Sequence, residues 1–222
     1  LAHLGVLQAL DEHDLKPGAI IGTSIGALFC AMYALYNDAE VVIDRVMEVL
    51  TSDSFKHLHL PHLKEAETED QTWLGRLTAS ARQSVLYTRA ATGIALTDTD
   101  AMHDIVNHLC KSSGYDGLSI PLHITAVHFP SGEIELFSNG DLTRCLVASM
   151  AIPGVFEPVD IEGRLYVDGG IASELPAREA RMIAKPGQTV VAVDVGARPD
   201  PNNIPDTVIG MLDWSIRIKS HY

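Results

Sequence analysis

Nine residues, Ile20-Ile21-Gly22-Thr23-Ser24-Ile25-Gly26-Ala27-Leu28, constrain this chain more than any other stretch. Ala19-Ile20-Ile21 is a short apolar run of strand type. From Ser24 onward the sequence is apolar nearly all round, through Ala27, Leu28, Phe29, Ala31, Met32, Ala34 and Leu35. A helix with no polar face belongs inside a core. A buried strand that turns through glycines into a buried helix needs a sheet with helices packed on its faces. Upstream, Leu1 to Leu15 has amphipathic helical spacing, with Leu4, Leu7 and Leu10 on one face, and Lys16-Pro17-Gly18 stops it. Val41 to Leu50 continues as another helix, and the chain is expected to be α/β.

The same cadence runs on downstream. Asp98 to Cys110 reads as a helix beginning at Thr97 or Asp98, and Pro121 to Phe129 reads as a strand. Pro130-Ser131-Gly132-Glu133 turns that strand into a partner at Ile134 to Phe137. Leu142 to Met150 is helical and ends at Ile152-Pro153-Gly154. Arg164-Leu165-Tyr166-Val167 is a strand that delivers Asp168-Gly169-Gly170. Leu175 to Ile183 is a further helix, and Thr189 to Val195 is a strongly apolar strand. Thr51 to Leu96 differs in character: it is polar, broken by Pro61, Gly75 and Gly93, with isolated Phe55, Leu58, Leu60, Trp73 and Leu74, and is expected to be a mobile cap. Nothing repeats, so residues 1–222 are read as one domain.

Charge and cysteines exclude several functions. A net charge of −13 argues against nucleic acid or a strongly anionic bilayer as the main partner, because phosphate recognition needs clustered Lys and Arg. Cys30, Cys110 and Cys145 are far apart without ligand spacing, which suits buried free thiols rather than a metal site or a disulfide framework. His57, His59 and His62 lack both a cysteine and a helical i, i+4 partner, so no metal and no cofactor are expected. His123 and His128 are read as structural. The uncharged run from Ser24 to Asn37 is shorter than the roughly 20 residues a membrane span needs. The first residues carry no basic region before an apolar core, so cytoplasmic residence is expected, with peripheral membrane contact allowed. The sequence does not begin with Met and is expected to be part of a longer chain.

Two elements invite chemistry. In G-x-S-x-G after a strand, Gly22 and Gly26 let the backbone fold tightly enough to lift Ser24 clear of its neighbours at a helix N-terminus, where dipole and free amides favour an anion. The competing reading is a glycine-softened loop. Asp168, before Gly169 and Gly170, is either an exposed carboxylate on a close-approach turn or a plain tight turn. A serine needs a base. The Ser, Asp, His order of an α/β-hydrolase would have to use His221, and only 23 residues precede Ser24 where that fold needs several strands.

Taken together, "LAHLGVLQAL" at 1 to 10, "IIGTSIGAL" at 20 to 28, "ASMAIPGVFEPV" at 148 to 159 and "YVDGG" at 166 to 170 resemble the patatin-like phospholipase family, in the family's order and from the first residue to about Val195. The resemblance implies a three-layer α/β/α sandwich around a mostly parallel sheet, and a Ser-Asp dyad that hydrolyses fatty-acyl esters of lipids without histidine. It makes Ser24 the nucleophile and Asp168 its base, with Gly22, Gly26, Gly169 and Gly170 as backbone support and the Ile25 amide as one oxyanion donor. It also implies a glycine-rich oxyanion loop immediately before the segment matching Leu1-Ala2-His3-Leu4-Gly5-Val6. The partner implied is a lipid or fatty-acyl ester. Two other readings stand beside it: a non-catalytic lipid- or protein-binding module on the same fold, and an anion-binding turn, which lacks a P-loop lysine.

Overall fold

A computed structural model of the chain describes residues 2–51, 95–97, 99–111, 114–195 and 204. Helix α1 (Ala2–Glu12) buries Leu4 and Leu7, as their spacing predicts. Strand β1 (Ile20–Thr23) leads into α2 (Ile25–Tyr36), whose residues Ala27, Leu28, Phe29, Ala31, Met32, Tyr33 and Ala34 are all buried. Asn37 ends α2 in the left-handed conformation that terminates many helices. The Asp38 carboxylate then accepts the amides of Glu40 and Val41 at the start of α3 (Ala39–Thr51), which turns Val42, Val46 and Val49 inward.

After the short β2 (Ala95–Thr97) come α4 (Asp100–Cys110), β3 (Leu122–Phe129) and β4 (Ile134–Phe137). Helix α5 (Leu142–Met150) is capped by Asp141, whose carboxylate accepts the Arg144 amide at 3.0 Å. Strands β5 (Gly154–Phe156), β6 (Val159–Ile161) and β7 (Arg164–Asp168) follow, then a 3-10 turn (Gly169–Ile171) and α6 (Ala177–Ile183). One face of β3, through Leu122, Ile124 and Ala126, joins α2 and α5 in the main core, while Val127 of β3 faces its partner Val167 across the ladder, outside that cluster.

Strand β3 organises the sheet. Its Ile124–Val127 stretch pairs antiparallel with β4. Its first half pairs parallel with β1, Ile20 to Thr23 against Leu122 to Thr125, and its second half pairs antiparallel with β7, from Ala126↔Asp168 to Phe129↔Leu165. A strand has two hydrogen-bonding edges. With β4 along one edge, β1 and β7 share the other, end to end, and their C-terminal ends face each other between Thr125 and Ala126.

The α/β sandwich expected from the sequence is present, with one amendment: among the described residues the main sheet is mixed, and β1 with β3 is its parallel pair. Two short connections dictate this. The β3–β4 hairpin turns at Pro130 to Gly132, and β6 returns into β7 through Glu162 and Gly163, both at positive φ (54° and 80°), the geometry of a two-residue hairpin turn. Thr189 to Val195 forms no strand; Val191 is 75% exposed, and β propensity without a pairing partner makes no ladder. Helix α4 starts one to two residues later than expected, with Thr99 at its N-cap. Residues 52–94 of the expected cap, including His57, His59 and His62, lie outside the described residues, as does His221.

One carboxylate ties the three N-terminal helices together. Asp11 Oδ1 accepts from the Tyr33 hydroxyl at 2.6 Å and from Lys16 at 2.5 Å, and Oδ2 accepts the Ala39 amide at 2.7 Å. It thereby caps α3, satisfies a buried phenol of α2 and closes the α1–β1 connection. Asp11→Ala should lower stability by about 1–3 kcal/mol in urea unfolding, because it strands two buried donors. Lys16→Met, which removes a partly exposed ion pair and a long bond to the Tyr33 hydroxyl, should cost clearly less in the same assay. Equal losses would show that the ion pair, not the buried donors, matters.

Candidate active site

Where β1 and β7 run head to head, both chains must leave the sheet. Ser24, directly after the pair Thr23↔Thr125, turns into α2, and Asp168, opposite Ala126, turns into the 3-10 segment. The two side chains meet: Ser24 Oγ donates to Asp168 Oδ2 at 2.7 Å, across 144 residues of sequence. The other carboxylate oxygen, Oδ1, accepts the Gly170 amide at 2.7 Å. Asp168 is 5% exposed. Burial pushes its carboxyl above the ordinary carboxylate range; the bonds from Ser24 and Gly170 only partly offset this, and Glu174 adds to the rise.

The glycines around Ser24 and Asp168 sit where the backbone approaches its neighbours closely. A Cβ on Gly22 would collide with the Cα of Ala27 and lie 2.7 Å from the Ala27 nitrogen, so the strand-to-helix turn closes only over a bare backbone. A Cβ on Gly169 would collide with Thr125 Oγ1 and lie 2.7 Å from the Thr125 carbonyl oxygen, where the chain after Asp168 crosses β3. Gly26 packs against the His3 ring, and a Cβ on Gly170 would crowd Asp168 Oδ1 at 3.1 Å. Ser24 itself has φ 53° and ψ −133°. That backbone is strained for any residue other than glycine, at a cost on the order of 1–3 kcal/mol, and it aims the hydroxyl out of the turn. The Ile25 amide heads α2, where the helix dipole favours negative charge.

Several residues at this site receive no role from the sequence alone. Ser149, fully buried near the end of α5, accepts the Ser24 amide on its Oγ at 2.8 Å. Thr23 and Thr125 share a hydroxyl hydrogen bond of 2.7 Å beneath the junction, and the Ala151 carbonyl accepts the Asp168 amide at 3.0 Å. His3 leans on Phe29, and burial holds its pKa below the usual histidine value. His128 bonds Ser131 and meets Tyr166 edge-on, and His123 is half-buried with its pKa lowered by desolvation. No imidazole hydrogen-bonds to Ser24 or Asp168 among the described residues. The three cysteines are free; burial pushes the thiols of Cys30 and Cys110 up to about 12 and that of Cys145 to about 11, so they are poor nucleophiles.

A hydroxyl bonded to a buried carboxylate of raised pKa, at the N-terminus of a helix, is an arrangement able to ionise a serine and receive an oxyanion. Comparison with known proteins places the chain in a family. A family model described as patatin-like phospholipase matches residues 1–181. Lysophospholipase NTE1 of Saccharomyces cerevisiae is 26% identical over 221 residues, 97% of this chain and 11% of that protein. An NTE family protein of Mycobacterium tuberculosis is 30% identical over 178 residues, 79% of this chain and 40% of that one. Patatin-like phospholipase domain-containing protein 6 of Mus musculus is 24% identical over 201 residues, 90% of this chain and 13% of its length. The chain thus spans well under half of these relatives. Among solved structures, VipD from Legionella pneumophila superposes with a TM-score of 0.43 at 17% identity, covering 77% of this chain and 44% of that one.

The raised pKa of Asp168 carries a stability prediction. A carboxyl that binds its proton more tightly in the folded than in the unfolded state costs folding stability as pH rises from the unfolded value through the folded one. Above that window Asp168 is a net burden on the fold. Asp168→Asn, which keeps the size and an acceptor oxygen, should unfold at the same or higher urea concentration than wild type at neutral pH. A clear fall would mean that the carboxylate is a structural anchor. Gly22→Ala should instead destabilise by about 1–3 kcal/mol in the same assay, because the turn must open.

Proposed function

This chain belongs to the patatin-like phospholipase family, and we propose on that premise that it is a serine acyl hydrolase of phospholipids, lysophospholipids or related fatty-acyl esters. The observation that carries the proposal is the 2.7 Å hydrogen bond from Ser24 Oγ to the buried carboxylate of Asp168. Ser24 is the nucleophile and Asp168 the base. As Ser24 Oγ attacks the ester carbonyl, its proton passes to Asp168 Oδ2, a transfer that the raised pKa favours. Negative charge grows on the former carbonyl oxygen at the N-terminus of α2, where the Ile25 amide serves as a donor.

Collapse of the tetrahedral intermediate expels the alcohol, which takes the proton from Asp168 and leaves an acyl-Ser24. Water enters, gives a proton to Asp168 and attacks the acyl carbon. The departing Ser24 oxygen recovers that proton, and the fatty acid leaves. The dyad works without histidine on this reading, because burial raises the basicity of the carboxylate above that of an exposed one.

Apolar side chains beside the dyad support a lipid substrate. Ile25 follows the nucleophile, Ile152 follows the residue that holds the Asp168 amide, and Ile171 and Leu175 follow the glycine pair. They are exposed by 49%, 49%, 51% and 38%. No helix among the described residues is long and apolar enough to cross a membrane. The lysophospholipase name of the yeast relative makes a monoacyl phospholipid the first substrate to assay.

A fluorophosphonate probe should label Ser24, and Ser24→Ala should abolish both labelling and release of fatty acid from lysophosphatidylcholine. Asp168→Asn should slow turnover by about 10²–10⁴. In wild type, kcat/KM should climb as pH rises through the elevated pKa of Asp168 and then level off, since the base works only when ionised. A folded protein that binds acyl ligands without labelling would be a binding module on this fold.

A further inference from the structure

The last turn of α5 touches both members of the Ser24–Asp168 pair. Ser149 Oγ accepts the Ser24 amide at 2.8 Å, and two residues later the Ala151 carbonyl accepts the Asp168 amide at 3.0 Å. These bonds are made to backbone rather than to reacting atoms, and they reach the two residues from the same side. Resting on the acyl-hydrolase reading above, we propose that Ser149 is a positioning residue: its hydroxyl, paired with the neighbouring Ala151 carbonyl, fixes the backbone of the nucleophile in register with its base.

The argument begins with strain. At φ 53° and ψ −133°, Ser24 occupies a conformation that its own side chain disfavours, and such a backbone persists only where its surroundings over-determine it. Packing of Gly22 against Ala27 restricts the turn from the strand side. The hydroxyl of Ser24 bonds outward to Asp168, and its carbonyl accepts the Ala27 amide at 2.9 Å inside α2. The amide of Ser24 is the remaining handle on the peptide plane, and Ser149 holds it. Rotation of that plane would move Oγ away from Oδ2 and would tilt the following peptide, whose N–H belongs to Ile25.

Placement makes Ser149 suited to this task. It is fully buried, so its hydroxyl exchanges no bonds with solvent, and α5 lies across β3, β6 and β7 with its start fixed by the Asp141 cap. Neighbouring Val147 and Ala148 are also fully buried. The helix is therefore a rigid rod whose tip sets the spacing between two residues that approach from opposite directions. An alanine at 149 would leave the helix intact, with better intrinsic propensity, and would remove only the acceptor.

The test measures the second-order rate of fluorophosphonate labelling at Ser24, together with kcat and KM on lysophosphatidylcholine, in the full chain carrying Ser149→Ala or Val147→Ala. Val147→Ala removes buried methyl groups from the same helix and destabilises the fold without touching the acceptor. Ser149→Ala should lower the labelling rate and kcat by roughly ten- to hundredfold, the scale of a misplacement near 1 Å, with KM changed by less than about twofold. Val147→Ala should label and turn over like wild type despite a larger fall in its urea midpoint. Wild-type rates in Ser149→Ala, or an equal loss in Val147→Ala, would overturn the positioning role while leaving the dyad standing. Absence of labelling and turnover in wild type itself would overturn the hydrolase reading, and the role of Ser149 would fall with it.

Discussion

Two strands that run toward each other along one edge of β3 set the terms for everything near Ser24. Strand β1 arrives parallel and β7 antiparallel, and neither can continue past the Thr125–Ala126 step without meeting the other. Each chain must swing out of the sheet at that point, and each does so with a glycine that leaves no room for a side chain, Gly22 on one side and Gly169 on the other. The residues at the two exits, Ser24 and Asp168, are thrown together as a result. The hydrogen bond between them follows from sheet register rather than from any local affinity of serine for aspartate.

The junction concentrates unfavourable terms that the surrounding fold offsets. A non-glycine residue at positive φ and a carboxylate at 5% exposure both oppose folding. Against them stand a main core drawn from α2, α3, α4, α5 and β3, the Asp11 hub that locks α1 to α2 and α3, and the hydroxyl pair of Thr23 and Thr125 directly below. The junction is compatible with a stable fold because the strain is confined to a few residues and the amides of Ser24, Asp168 and Gly170 are all hydrogen-bonded.

Much of this was legible in the sequence. Uniform apolarity from Ala27 to Leu35 announced a buried helix, and the spacing of Leu4 and Leu7 announced the face of α1. Ser24 and Asp168 were placed by motif and by resemblance, and the structure brings them within hydrogen-bonding distance. Strand direction was not legible from hydrophobicity, since parallel and antiparallel strands bury the same residues; the informative signal was Glu162-Gly163, a two-residue turn between strands too short to register as apolar runs. Thr189 to Val195 shows the converse, with every compositional mark of a strand and no ladder among the described residues. Ser149 and Ala151 lie within the ASMAIPGVFEPV stretch that carries the resemblance, yet nothing in that stretch assigns either of them a role, because what distinguishes them is what their oxygens meet.

The span of 144 residues between Ser24 and Asp168 also gives the site a birth order. On a ribosome adding about 5–20 residues per second, the serine emerges on the order of ten seconds before the aspartate exists. Throughout that interval, the chain has an elbow segment whose hydroxyl lacks its partner carboxylate. Strand β7, close to the end of the matched region, completes the junction. A nascent polypeptide therefore lacks the bond between Ser24 and Asp168 until β7 docks, and the pair is assembled as a single late event.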